Sequence, residues 1–143
     1  MTLRDLATCP AVTCSTDASV QEAAHLMATA GVGFLVIVDA DHPVGVLTDR
    51  DIVLRGVAAG CGPETPVAEL MTRHPAHVDE HATVEQAATV MADKQCRRVA
   101  ITGDGGRIVG VLSLDDLLRV AGDELQQVAR AVRGSKHAHP TLP

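Results

Sequence analysis

Aromatic side chains are nearly absent: the 143 residues include one phenylalanine, Phe34, and no tryptophan or tyrosine. The stacking platform on which single-stranded nucleic acids lay their bases is therefore missing. Cations are also in deficit. Twelve Lys and Arg against 18 Asp and Glu leave a net charge of −6, which disfavours attraction to phosphate backbones or to anionic membranes. Nucleic acid is not an expected partner. Nor is a membrane, because the longest apolar run, "GVGFLVIV" at residues 31–38, is strand-sized and far short of the roughly 20 residues a spanning helix needs. The start "MTLRDLATCP" has no basic segment followed by an apolar stretch, so no signal peptide is read there. A cysteine framework is lacking too: Cys9, Cys14, Cys61 and Cys96 form no C-x-x-C pair, which favours thiols over a disulfide framework or a structural zinc site. A soluble cytoplasmic protein is expected.

What is present is enough apolar residue, 46%, to bury a core at this length, and a repeat. Shifting the sequence by 64 places sets Leu3, Asp5 and Leu6 on Val67, Glu69 and Leu70, and Val20, Ala23, Ala24, Met27 and Ala28 on Val84, Ala87, Ala88, Met91 and Ala92. Past Asp39 the offset becomes 65, and "GVLTDRD" at 45–51 meets "GVLSLDD" at 110–116. The same supersecondary unit thus occurs twice, and such units pair to bury the face neither can bury alone.

Each unit reads in one order. Ser19-x-x-Glu22 and Thr83-x-x-Gln86 are capping boxes opening helices over about 20–30 and 84–95, with alanine and methionine at the spacing of a buried stripe. Gly31 ends the first. The β-rich runs "FLVIVD" (34–39) and "RVAITG" (98–103) follow, then the turns "ADHP" and "DGGR", then "VGVL" at 44–47 and 109–112. Such continuous apolar strands predict burial on both faces. A closing helix follows each, over about 49–59 and 114–121. Leu125, Val128, Ala129 and Val132 predict one more amphipathic helix over 123–133, and the polar residues 134–143 a disordered tail.

Two readings stand for Thr48-x-x-Asp51 and Ser113-x-x-Asp116. In one the hydroxyl and carboxylate merely cap a helix, worth about 1 kcal/mol. In the other a helix start takes a phosphate while the carboxylate accepts hydrogen bonds from a ribose diol. Gly45 and Gly110 allow something to approach the strand closely.

With these motifs, and the phrases "GVLTDRDIVLRGVAAG" and "TPVAELMTRHPAHV", residues 2–121 resemble a CBS-domain pair, similar to its small stand-alone bacterial members. The resemblance implies an α/β fold of two β-α-β-β-α units, repeat 1 at 2–62 and repeat 2 at 63–122, packed sheet to sheet about a pseudo-twofold axis. It implies two clefts for an adenosine-containing ligand such as AMP, ADP, ATP or S-adenosylmethionine, with Thr48 and Asp51 in one and Ser113 and Asp116 in the other for phosphate and ribose. Thr13 matches the family's first-strand threonine, and His77 stands at that place in the second repeat, so the sites are expected to be unequal. Gly33, Phe34, Arg98 and Val99 fall where the family's middle strand lines the cleft, although Val36 and Ala100 replace its usual proline. The resemblance also implies a homodimer formed through the closing helices.

Other groups carry weaker alternatives. His74, His77 and His81 lie where a turn enters a strand, a spacing that favours solvated histidines over a metal site. Arg97 and Arg98 are a solvated pair, or Arg98 reaches a polyphosphate. Cys14 reads as a small buried hydrophobe sooner than a redox switch. No nucleophile with a general base, metal-ligand cluster or Walker lysine appears, so no enzyme is expected. The favoured function is a non-catalytic sensor of an adenosyl ligand acting on an unknown downstream protein. A ligand-free stress or scaffold protein and a thiol or metal sensor are the rivals.

Overall fold

A computed structural model of the chain describes residues 1–137. In chain order the elements are α1 (Leu3–Leu6), β1 (Thr13–Ser15), α2 (Val20–Ala30), β2 (Phe34–Asp39), β3 (His42–Thr48), α3 (Asp49–Asp51), β4 (Thr72–Arg73), β5 (His77–Asp79), α4 (Val84–Lys94), β6 (Arg98–Thr102), β7 (Ile108–Ser113) and α5 (Leu114–His137). The order β-α-β-β-α is met twice, in the expected α/β fold.

The capping boxes form as read. Ser19 Oγ accepts the Glu22 N–H at 3.1 Å and Thr83 Oγ1 accepts that of Gln86 at 3.0 Å, each reciprocated by the Glu or Gln side chain. This satisfies N–H groups that a helix start leaves without partners. The far ends differ: Gly31 closes α2 at φ 67° and Gln95 closes α4 at φ 51°, both left-handed.

β1, β2, β3 and β4 form one sheet in that order, and β5, β6 and β7 the other. The first strand of each unit runs parallel to the second in the same register, Thr13 beside Val36 and His77 beside Ala100. α2 covers one face of its sheet, where Ala23, Met27, Leu35, Ile37 and Leu47 are buried together. α4 does the same with Ala87, Met91, Val99, Ile101 and Leu112. Val36 and Ala100 are buried as well but belong to neither core, because alternate strand residues point to opposite faces, here the face on which the two sheets meet. The turns of the two units touch there: the Ile108 N–H donates to the Asp41 carbonyl at 2.8 Å, and His42 Nε2 lies 2.7 Å from the Gly105 carbonyl oxygen.

Each core borrows from the other half of the chain. Leu3 of α1 is buried in the core of α4, whereas Val67, Leu70 and Met71 are buried in the core of α2. The packed bodies are therefore exchanged at their leading segments, and a cut between 62 and 63 would not separate them.

The closing helices depart from the sequence reading, which also did not contain α1 or β4. The first closing helix is only one α-turn, α3, and continues as a π-helical stretch, Ile52–Val57. The second closing helix and the helix placed at 123–133 are a single helix, α5, which also takes in 134–137. No proline interrupts it, and its two glycines, Gly122 and Gly134, cost a helix only about 1 kcal/mol each. The remainder of the expected tail, 138–143, lies outside the described residues.

Candidate functional site

β3 and β7 end at the doubled motif. Thr48 is extended at φ −109° and ψ 161°; its Oγ1 accepts the Asp51 N–H at 3.1 Å while Asp51 Oδ2 accepts the Thr48 N–H at 2.9 Å. Ser113 and Asp116 repeat this at 3.1 and 2.9 Å. Both motifs thus form capping boxes. The second carboxylate oxygen in each case faces an arginine: Asp51 Oδ1 lies 3.9 Å from Arg55 Nε, and Asp116 Oδ1 accepts from Arg119 Nη2. The hydroxyl protons of Thr48 and Ser113 remain for another acceptor.

Two clefts lie beside these motifs, of about 250 Å³ next to Ser113 and about 330 Å³ next to Thr48. Their linings are related by the repeat. Thr8, Val12, Val32, Gly33, Phe34, Val111 and Ser113 line the first, where Thr72, Ala76, Cys96, Arg97, Arg98, Val46 and Thr48 line the second. Each cleft joins the motif of one repeat to the leading segment and middle strand of the other. Phe34 and Arg98, equivalent in the repeat, line both clefts and meet between them, with the Arg98 guanidinium carbon 5.2 Å from the Phe34 ring centroid. That is a cation–π contact on the pseudo-twofold axis.

Of the residues read from the sequence, Thr48, Ser113, Asp116, Gly33, Phe34 and Arg98 line the clefts. Asp51 is half-buried and holds its cap without being part of the lining. Val99 is 1% exposed inside the second core, since it alternates with Arg98 along β6. Thr13 and His77 line neither cleft; Val12 and Ala76 do. The parallel register sets Thr13 and His77 beside Val36 and Ala100, past the Phe34 and Arg98 around which the clefts gather. Thr8, Thr72, Lys94 and Asp115 also line the clefts and were not among the expected residues. The signal for the first two was present: the same hydroxyl residue at the same repeat position.

The glycines of the motif strands are approached by the chain itself. A Cβ on Gly110 would stand 2.7 Å from the Thr8 carbonyl oxygen, and one on Gly45 would stand 3.1 Å from that of Thr72. Thr8 and Val111 exchange backbone hydrogen bonds at 3.0 Å, so the close approach inferred from glycine is the leading segment of the partner repeat.

The side groups stay apart. Among the described residues no three His, Cys, Asp or Glu are placed to hold a metal ion; His74, His77 and His81 are all exposed. Cys14 packs against the first core, and burial, with the Glu22 carboxylate adding to it, pushes its thiol pKa up.

Comparison with known proteins decides the family. The CBS domain model matches residues 3–57 and 67–123. The chain belongs to the CBS-domain family. It is 36% identical over 101 residues to the uncharacterised protein MK0525 of Methanopyrus kandleri, covering 69% of this chain and 52% of that one, so it spans about half of that relative's length. It is 38% identical over 99 residues to hypoxic response protein 1 of Mycobacterium tuberculosis, covering 68% of each. Among solved CBS structures, PAE2072 from Pyrobaculum aerophilum complexed with AMP superposes with a TM-score of 0.72 at 29% identity over 81% of this chain and 89% of that one. The CBS pair of MJ0100, in complex with 5′-methylthioadenosine and S-adenosyl-L-methionine, does so with a TM-score of 0.75 at 26% identity over 87% and 98%. Tandem CBS architecture is what these neighbours share with the present fold.

Proposed function

We propose that this CBS pair is a non-catalytic regulatory module that binds an adenosine-containing ligand in its two clefts and thereby changes its association with a downstream protein. The observation that carries this is the doubled cleft, in which the Thr48 or Ser113 hydroxyl shares the lining with the apolar Val46 and Ala76, or Val111 and Val12. A hydroxyl beside an apolar wall suits a ligand with a polar sugar and a flat base. The carboxylates of Asp51 and Asp116 each keep lone pairs beyond those that meet the cap N–H and the neighbouring arginine, and these would accept the ribose hydroxyls. AMP in PAE2072 and the adenosyl compounds in MJ0100 support the ligand class. The module would act as a homodimer through the exposed Val53, Leu54 and Val57 of the π-helical stretch and the outer face of α5.

A thermal-shift series with AMP, ADP, ATP, S-adenosylmethionine and NAD tests the reading. A ligand at a hundredfold excess over its Kd adds about 2.7 kcal/mol, several degrees of Tm at this size. Asp51→Ala with Asp116→Ala should cost the ligand-free protein about 1 kcal/mol per cap and abolish the ligand-dependent shift. If no adenosyl compound moves Tm at millimolar concentration, or the double variant responds like wild type, the motif only starts helices.

A further inference from the structure

The two clefts are built from equivalent positions but do not carry equivalent charge. The Thr48 cleft is lined by Lys94, Arg97 and Arg98 with no carboxylate among its lining residues. In the Ser113 cleft the places of Lys94 and Arg97 are taken by Ala30 and Gly33. Asp115 and Asp116 line that cleft with Arg98 as the only cation. A third carboxylate stands at its edge, since a Cβ on Gly33 would lie 2.7 Å from Asp49 Oδ2.

We propose that the clefts sort adenosyl ligands by charge: the Thr48 cleft takes a nucleoside polyphosphate, and the Ser113 cleft an adenosyl compound that carries no phosphate. The inference rests on the reading that both clefts take adenosine-containing ligands. Three cations converging on one cleft suit a chain of phosphates, which has acceptor oxygens for each. In the other cleft the same phosphates would meet carboxylates, whereas a sulfonium or ammonium tail would be held by them. Arg97 Nη2 and Asp115 Oδ1 lie 3.7 Å apart across the boundary, but both side chains are more than 70% exposed, so solvent screens the pair and leaves each free to meet a ligand. Arg98, stacked on Phe34 between the clefts, is the one cation both share, so the difference comes from Lys94 and Arg97 against Asp115 and Asp49.

The test is calorimetry of the full chain with ATP and with S-adenosylmethionine, whose net charge is positive. Lys94→Glu with Arg97→Glu should weaken ATP at least tenfold and leave S-adenosylmethionine within about twofold. Asp115→Lys should weaken S-adenosylmethionine and spare ATP. Both variants change exposed side chains outside the caps, and Tm reports that they fold. Equal effects on the two ligands, or none, would overturn the sorting and leave the adenosyl reading standing. If neither compound, nor adenosine itself, binds the wild type, the adenosyl reading falls and the sorting with it.

Discussion

Gly45 and Gly110 look like places kept open for a ligand, and the structure fills both with backbone and side chain of the other repeat. The Thr8 carbonyl cannot retreat from Gly110, because Thr8 is hydrogen-bonded in both directions to Val111. Gly110→Ala should therefore destabilise by about 1–3 kcal/mol, as overpacking against fixed atoms does, read as a fall in the urea midpoint at unchanged slope. A milder case is the end of α4, where Gln95 takes the left-handed conformation that Gly31 takes at the end of α2. A residue with a Cβ pays about 1 kcal/mol there. Gln95→Gly should raise stability by up to that amount, less the extra freedom glycine has when unfolded, whereas Gly31→Gln should lower it. Equal and opposite signs from these two reciprocal changes are what a melting experiment should find.

At the scale of elements, α5 is out of proportion to the body it closes. It runs from Leu114 to His137, and only its first turns touch the core, through Leu114 and Leu117. At about 1.5 Å per residue it extends some 36 Å. Its exposed Leu118, Ala121, Leu125, Val128 and Val132 alternate at spacings of three and four, the seam of a two-helix coiled coil. A second copy of α5 is the occupant this pattern suits. Light scattering should give about twice the 14.9 kDa of one chain, and Leu125→Asp with Val128→Asp should shift the protein toward monomer without lowering the stability of the cores, since neither residue packs in them. A wild-type monomer at micromolar concentration would remove the dimer.

For the whole molecule the exchange of leading segments decides how it can be divided. A chain ending at residue 62 lacks Val67, Leu70 and Met71, all buried in the first core. It should be unfolded by circular dichroism, given that each such side chain contributes about 1.5–3 kcal/mol when buried. The two halves, mixed as 1–62 and 63–143, should fold together if at all. A folded 1–62 fragment would show that the exchange is dispensable.

The sequence by itself determined the repeat, the order β-α-β-β-α, the capping boxes and the doubled hydroxyl-carboxylate motif. These are short-range matters, set by spacing within one turn or strand, and each is met where the residues predict it. Six of ten expected site residues line the clefts: Gly33, Phe34, Arg98, Thr48 and Ser113 sit at or next to strand ends that the pattern reveals, and Asp116 follows in the capping box. Tertiary structure alone decided the rest. Strand register moved the lining from Thr13 and His77 to Val12 and Ala76, and alternation along β6 buried Val99 beside the exposed Arg98. Only the meeting of the two repeats brings Thr8 to Val111 and Arg98 over Phe34, with Lys94 and Arg97 into a cleft whose counterpart holds Asp115. Those contacts join residues from opposite halves of the chain, and no local preference encodes which of them will face one another.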